Sequence, residues 1–155
     1  MPGAGKSTIG IILAKYLGKD FIDTDLLIQN RNNQTLQEIL DNYGYLKLRE
    51  IEEKEILLLN GKNTVIATGG SAVYSEKAIN YLKQGGIVVY LKLEINELLK
   101  RISNFDMRGI AKSKDQSFED LYKEREALYD KYGEIVIDCK LKKQEDIVEE
   151  IISRL

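Results

Sequence analysis

Six residues near the start of the chain, Gly3-Ala4-Gly5-Lys6-Ser7-Thr8, constrain its fold more than any other feature. They carry the second half of the G-x-x-x-x-G-K-[ST] phosphate loop. They run directly into Ile9, Ile12, Leu13, Tyr16 and Leu17, which recur at helical spacing before Gly18, a C-terminal cap. In such an arrangement the two glycines let backbone wrap phosphate, and the helix N-terminus offers free N–H donors. Lys6 supplies a cation for the β and γ phosphates, and Ser7 a magnesium ligand. The competing reading is a glycine-rich turn before an ordinary helix. The first glycine of the full motif would fall one residue before Met1, and no strand precedes the loop. In parallel folds of this type that strand is central, so ladder edges on its neighbours are expected to lie open. A start further upstream, or a segment from a second copy of the chain, would fill the place.

The 155 residues fit one domain over 1–155. Lys and Arg number 23 against 25 Asp and Glu, a net charge of -2, which provides no general attraction to nucleic acid or anionic membrane. There is no histidine, so catalysis and metal binding fall to carboxylates, hydroxyls, Lys and Arg. The single cysteine, Cys139, excludes an intramolecular disulfide and reads as a small near-core residue. No apolar run approaches a membrane span and no signal-peptide pattern opens the chain, so a cytoplasmic location is expected.

Strands and helices alternate after the first helix. A short strand over Phe21–Asp23 precedes Thr35-Leu36-Gln37-Glu38, a capping box opening a helix that Gly44 closes, and a longer helix spans about Tyr45 to Asn60. Thr64–Thr68 and Ile87–Leu91 are compact β-branched runs expected to be buried on both faces. Between them a helix begins at Ser75 and ends near Gly85-Gly86. A helix around Glu94–Ile102 leads to a polar, aperiodic stretch from Ser103 to Ser117, read as a mobile loop. Ser117 caps another helix, Glu134–Asp138 is a strand, and Ile147, Val148, Ile151 and Leu155 give the last helix its apolar face. The pattern predicts an α/β fold with right-handed crossovers and a mostly parallel sheet flanked by helices.

Several residues could serve an acceptor. Asp23-Thr24-Asp25 lies at the carboxyl end of a strand, where open α/β sheets bind ligands, and period-two geometry can aim both carboxylates one way. The plain alternative has Asp25 capping the helix that starts at Leu26. Arg49 has Glu53 four residues on, so a surface ion pair explains it equally well. Gly69-Gly70-Ser71 follows a strand and either admits a ligand or forms a turn. Arg125 sits inside the apolar stripe of Phe118, Leu121, Tyr122, Leu128 and Tyr129, where a guanidinium snorkels outward or meets a buried anion. Arg108 lies in the polar loop, solvated or closing over phosphate.

Together these motifs resemble the shikimate kinase family over essentially the whole chain. GAGKST resembles its phosphate loop and FIDTD its strand ending in two aspartates. Leu48-Arg49-Glu50-Ile51-Glu52 resembles its Phe-Arg-x-x-Glu segment, ATGGS its Gly-Gly-Gly segment, and EREALY the segment of its second carboxylate arginine. The resemblance implies a three-layer P-loop kinase fold of the nucleoside-monophosphate-kinase type, with substrate-binding helices about 25–60 and a lid about 103–117. It implies ATP and magnesium as cofactors, held at Gly3, Ala4, Gly5, Lys6, Ser7 and Thr8, with Asp23 near the metal through water. Arg101 would stack on adenine, and Arg108 would be the lid arginine. Asp25 would grip the acceptor hydroxyl, Arg49 and Arg125 its carboxylate, and Gly69 and Gly70 its ring; Lys6, Asp25 and Arg108 would be catalytic.

The pattern departs from the family where its third glycine is Ser71 and its Arg-Pro-Leu lid motif reads Arg108-Gly109-Ile110. The resemblance implies phosphoryl transfer from ATP to the 3-hydroxyl of shikimate. The alternatives are another small anionic acceptor, either a sugar acid or a nucleoside monophosphate, and a nucleotide-binding protein without turnover. A monomer is expected, or a strand-exchanged dimer.

Overall fold

The computed structural model describes residues 1–101, 109–113 and 115–155. Helix α1 (Lys6–Leu17) starts at the phosphate loop and stops at Gly18, whose φ of 61° is a left-handed conformation that costs glycine little. Strand β1 (Asp20–Asp23) then leads into α2 (Thr24–Asn32). Helix α3 (Leu36–Leu57) opens on the expected capping box, Thr35 with Glu38, and is interrupted at Gly44, where φ 80° and ψ 169° leave helical geometry. The break expected at Gly44 is therefore a kink, and the two predicted helices run on through it.

Strand β2 (Thr64–Ala67) is followed by a 3-10 turn over Ala72–Tyr74 and by α4 (Glu76–Gly85), capped by the Ser75 hydroxyl on Ala78 N. Strand β3 (Val89–Lys92) begins two residues later than the β-branched run suggests. The reason is local: Val88 turns its N–H to the Glu134 carboxylate and its carbonyl to Glu134 N and Ile135 N, so regular pairing starts only at Val89. Helix α5 (Ile95–Arg101), α6 (Phe118–Tyr132, capped by Ser117), β4 (Ile135–Asp138) and α7 (Gln144–Ile152) complete the order.

All strand pairing is parallel, but it is divided. β1 pairs with β2 from Asp20–Thr64 to Asp23–Ala67, and β3 pairs with β4 from Val89–Ile135 to Lys92–Asp138. Each pair is a separate two-stranded sheet, and no ladder joins β2 to β3 among the described residues. A groove of about 730 Å³ lies between them, with Ile9 and Leu13 of α1, Val65 and Ala67 of β2, and Tyr90 and Leu91 of β3 on its walls. This open side explains why Thr64, Val65 and Ile66 are only half-buried, against the expectation of a strand covered on both faces.

The main core gathers Ile9 and Leu13 of α1, Leu91 of β3, Leu121 of α6, Ile137 of β4 and Ile151 of α7. Cys139 is buried in the same cluster, and burial pushes its thiol up to about 11, so it behaves as a small apolar residue. A second, smaller cluster of Ile28, Ile39 and Leu48 seats α2 on α3 and receives Ala111. α1 packs against β1, β2 and α7, and α2 packs against α3.

Candidate active site

The phosphate loop is held by its own backbone. Gly3 and Gly5 take φ values of 78° and 88°, which a side chain would resist, and Ala4 N donates to Met1 O at 3.3 Å. Gly5 is the N-cap of α1 and supplies no side-chain acceptor, so the first-turn amides remain available to an anion. Lys6 Nζ donates to Met1 O at 3.0 Å, and Ser7 and Thr8 stand exposed on the first turn. Burial draws the Lys6 ammonium below its ordinary pKa, with the nearby Asp25 charge working against that shift.

Asp23 and Asp25 divide their roles. Asp23 Oδ1 accepts from Asp25 N at 2.9 Å and Leu26 N at 3.3 Å, capping α2. The capping alternative considered for Asp25 thus belongs to Asp23, and the Asp25 carboxylate is left free. It lines a cavity of about 60 Å³ together with Lys6, Glu52, Gly69, Gly70 and Arg125, room for a few ordered waters. Burial raises the Asp25 pKa, and the Lys6 cation partly opposes this.

Gly69 and Gly70 have distinct steric reasons to be glycine. A Cβ on Gly69 would lie 2.0 Å from Glu52 Oε1 and 2.7 Å from Asp25 Oδ1, and one on Gly70 would lie 2.8 Å from Arg125 Nη1. Gly69 N donates to the fully buried Thr24 hydroxyl at 2.9 Å, which ties the turn after β2 to the start of α2. Ser71, where the resemblance expects glycine, donates its hydroxyl to Glu52 Oε2 at 2.5 Å. Glu52 Oε1 is buried without a partner, and burial pushes the Glu52 carboxyl up to about 7 despite the Ser71 hydrogen bond.

Arg125 is 1% exposed, so of its two readings the structure selects the buried one. Its Nη2 donates to Ala111 O at 2.8 Å, and Arg49 Nη2 reaches the same carbonyl at 3.3 Å. The surface pair suggested between Arg49 and Glu53 does not form: Glu53 accepts from the Ser75 hydroxyl at 2.5 Å, and the Arg49 guanidinium lies 3.5 Å from the centre of the Tyr74 ring. The arginines thus come together, with Arg125 in the cavity wall and Arg49 beside it. Arg101 is exposed at the end of α5, and Arg108 lies outside the described residues.

Sequence reading did not single out Tyr74 or the Ala111 carbonyl, and it met Glu52 only as the last residue of the segment resembling Phe-Arg-x-x-Glu, with no role given to it. The other two depend on contacts between distant segments.

The comparisons agree with this geometry. The family model described as shikimate kinase matches residues 2–155. A shikimate kinase of Clostridium botulinum (strain ATCC 19397 / Type A) is 40% identical over 146 residues, covering 92% of this chain and 86% of the relative. One from Sulfurihydrogenibium sp. (strain YO3AOP1) is 33% identical over 154 residues, covering 99% and 92%. Among solved structures, the shikimate kinase from Acinetobacter baumannii in complex with shikimate superposes with a TM-score of 0.89 at 31% identity, over 98% of this chain and 87% of that one. The enzyme from Aquifex aeolicus gives a TM-score of 0.84 at 29% identity, over 99% and 90%. A family match over nearly the full length, at a phosphate loop beside a half-buried aspartate and two convergent arginines, means that the chain belongs to the shikimate kinase family.

Proposed function

We propose that this chain is an ATP-dependent kinase that transfers the γ-phosphoryl group to the 3-hydroxyl of shikimate, with Asp25 orienting that hydroxyl and accepting its proton. The observation that carries the reading is the single cavity in which Lys6 of the phosphate loop, Asp25 at the start of α2 and Arg125 of α6 meet. Lys6 and the free amides of α1 grip the phosphates, and Arg49 and Arg125 take the acceptor carboxylate. Gly3, Ala4, Gly5, Ser7 and Thr8 complete the nucleotide loop, Arg101 lies against adenine, and Arg108 closes over the transferring phosphate. Phosphoryl transfer asks the protein mainly for positioning and charge neutralisation, and these groups supply both.

The residues present fit a magnesium ion of the phosphate-bridging kind. The Ser7 hydroxyl stands free in the first turn of α1, and Asp23 keeps one carboxylate oxygen beyond its capping bonds to hold a metal-bound water. Held by Ser7 and, through water, by Asp23, magnesium would supply positive charge to offset that developing on the phosphates.

A second acceptor reading rests on Ser71. Its bond to the buried Glu52 places a polar pair where the family resemblance expects a bare glycine, and a sugar acid would find an extra hydrogen-bonding group there. ADP release from Mg-ATP, measured with shikimate, gluconate and nucleoside monophosphates in turn, decides between them. Release that depends on shikimate alone supports the first reading; release with another acceptor supports the second, and silence with all three leaves nucleotide binding without turnover.

The groove between β2 and β3 bears on assembly. Its walls fit one more parallel strand, supplied within a longer chain in a monomer or exchanged between two copies in a dimer. No described helix is long and apolar enough to cross a membrane, and the cytoplasm suits a protein with one buried thiol.

A further inference from the structure

Arg49 and Arg125 come from different helices, α3 and α6, and both carry full positive charge, so something must hold them side by side against mutual repulsion. Neither forms an ion pair with a carboxylate among the described residues. What both do meet is one aromatic ring. The Arg49 guanidinium carbon lies 3.5 Å from the Tyr74 ring centre and that of Arg125 lies 5.4 Å from it, while Tyr45 faces Arg49 at 5.0 Å. Both distances to Tyr74 fall inside the range in which a ring's negative face attracts a cation.

The ring reaches this place because of the turn that bears it. Gly69-Gly70 line the acceptor cavity, Ser71 follows, and the 3-10 turn closes with Tyr74 N donating to Ser71 O at 3.0 Å. The same short stretch therefore shapes the cavity and delivers the ring to the arginines. Around that ring sit two buried guanidinium nitrogens without a hydrogen-bond partner, Arg49 Nε and Arg125 Nε. Unmet donors gathered in one place suit an anionic ligand.

We propose that Tyr74 is a positioning residue for the acceptor, its ring face holding Arg49 and Arg125 as one clamp for a carboxylate. The inference rests on the reading that these two arginines bind the acceptor's carboxylate. Tyr74 acts through the arginines and takes no part in phosphoryl transfer, so its removal weakens acceptor recognition and leaves the nucleotide side alone.

The test compares Tyr74→Leu and Tyr74→Phe with the parent protein in steady-state kinetics, using shikimate and its methyl ester as acceptors. Tyr74→Leu raises the KM for shikimate about tenfold, equivalent to ~1.4 kcal/mol, with kcat and the KM for ATP within about twofold. Tyr74→Phe, which keeps the ring, restores the parent value. Preference for shikimate over its ester shrinks in Tyr74→Leu, which a purely structural role for the ring would not cause. Tyr74→Met takes the place of Tyr74→Leu should circular dichroism show that the latter has lost its fold. An unchanged KM for shikimate in the ring-less variant, or equal rises for shikimate and ATP, overturns the proposal. Arg125→Ala separates the two levels. A raised KM there with none in Tyr74→Leu overturns the role of Tyr74 alone, and no change in Arg125→Ala overturns the carboxylate reading and the clamp together.

Discussion

Arg49 and Arg125 donate to the same backbone carbonyl, Ala111 O, at 3.3 and 2.8 Å, and so converge although helices α3 and α6 have no common origin in the sequence. On the proposed reading, a carboxylate of the acceptor would compete with this carbonyl for the same two donors. The shared carbonyl also brings Gly109, Ile110 and Ala111 over the cavity, which explains why that cavity holds only a few waters' volume. An acceptor with a carboxylate exchanges a neutral oxygen for an ionised one at these donors, and charge-assisted hydrogen bonds are about twice as strong as neutral ones.

Replacing Arg125 with Ala removes the buried half of this clamp. The KM for shikimate rises roughly 10- to 100-fold, as loss of a hydrogen bond to a charged group requires, and the KM for ATP stays near its parent value. Steady-state kinetics with each substrate varied in turn checks this, and equal rises in both would mean that Arg125 is a packing residue.

Asp25→Asn keeps the shape of the cavity but cannot accept the hydroxyl proton. Turnover falls by about 10³, while calorimetric ATP binding changes little, since the proposed role of Asp25 is toward the acceptor hydroxyl and not the nucleotide. Substantial retained turnover would contradict the role given to Asp25.

Gly69→Ala tests the crowding around both carboxylates. The new methyl would sit 2.0 Å from Glu52 Oε1 and 2.7 Å from Asp25 Oδ1, so both side chains must shift. Stability falls by about 1–3 kcal/mol in chemical denaturation and turnover falls with it. Gly18→Ala is the comparison: the space around that position is open and only its positive φ strains. Equal effects on turnover in the two variants would argue against a crowded site at Gly69.

Much of the fold was legible because its signals are local. The phosphate loop running into α1, the Thr35–Glu38 capping box, the Gly44 break and the Ser75 and Ser117 caps each need only a few neighbouring residues, and each stands where the sequence puts it. The half-burial of β2 was not legible, since it depends on what lies beside the strand rather than on Thr64–Ala67 themselves. The site divides the same way. Asp25, Gly69, Gly70 and Arg125 were marked by residue type and position, whereas the Ser71–Glu52 bond and the stacking of Arg49 on Tyr74 arise from segments that meet only after folding.

Stability should carry the signature of Glu52. Burial pushes its carboxyl up to about 7 in the folded protein, against an ordinary value of 4.5. Between those values the folded state binds a proton that the unfolded state has released, so the contribution is fully present below about 4.5 and is lost as pH rises through about 7. Denaturation from pH 5 to 8 should show the parent protein losing on the order of 3 kcal/mol relative to Glu52→Gln. Parallel curves would place the Glu52 titration elsewhere.

The divided sheet makes its own prediction. β2 and β3 are each paired along one side, so in hydrogen exchange their amides facing the groove should exchange far faster than those inside α1. Uniform slow exchange along both strands would show that another segment pairs between them in solution.

The measurement that bears most directly on the central claim is the phosphorus NMR spectrum of the product formed from Mg-ATP and shikimate. A single new phosphomonoester, coupled to the proton on the carbon bearing the 3-hydroxyl and appearing in step with ADP, is the predicted result. Inorganic phosphate as the only product, or a phosphomonoester on a different hydroxyl, would contradict the account of how Asp25, Arg49 and Arg125 hold the acceptor.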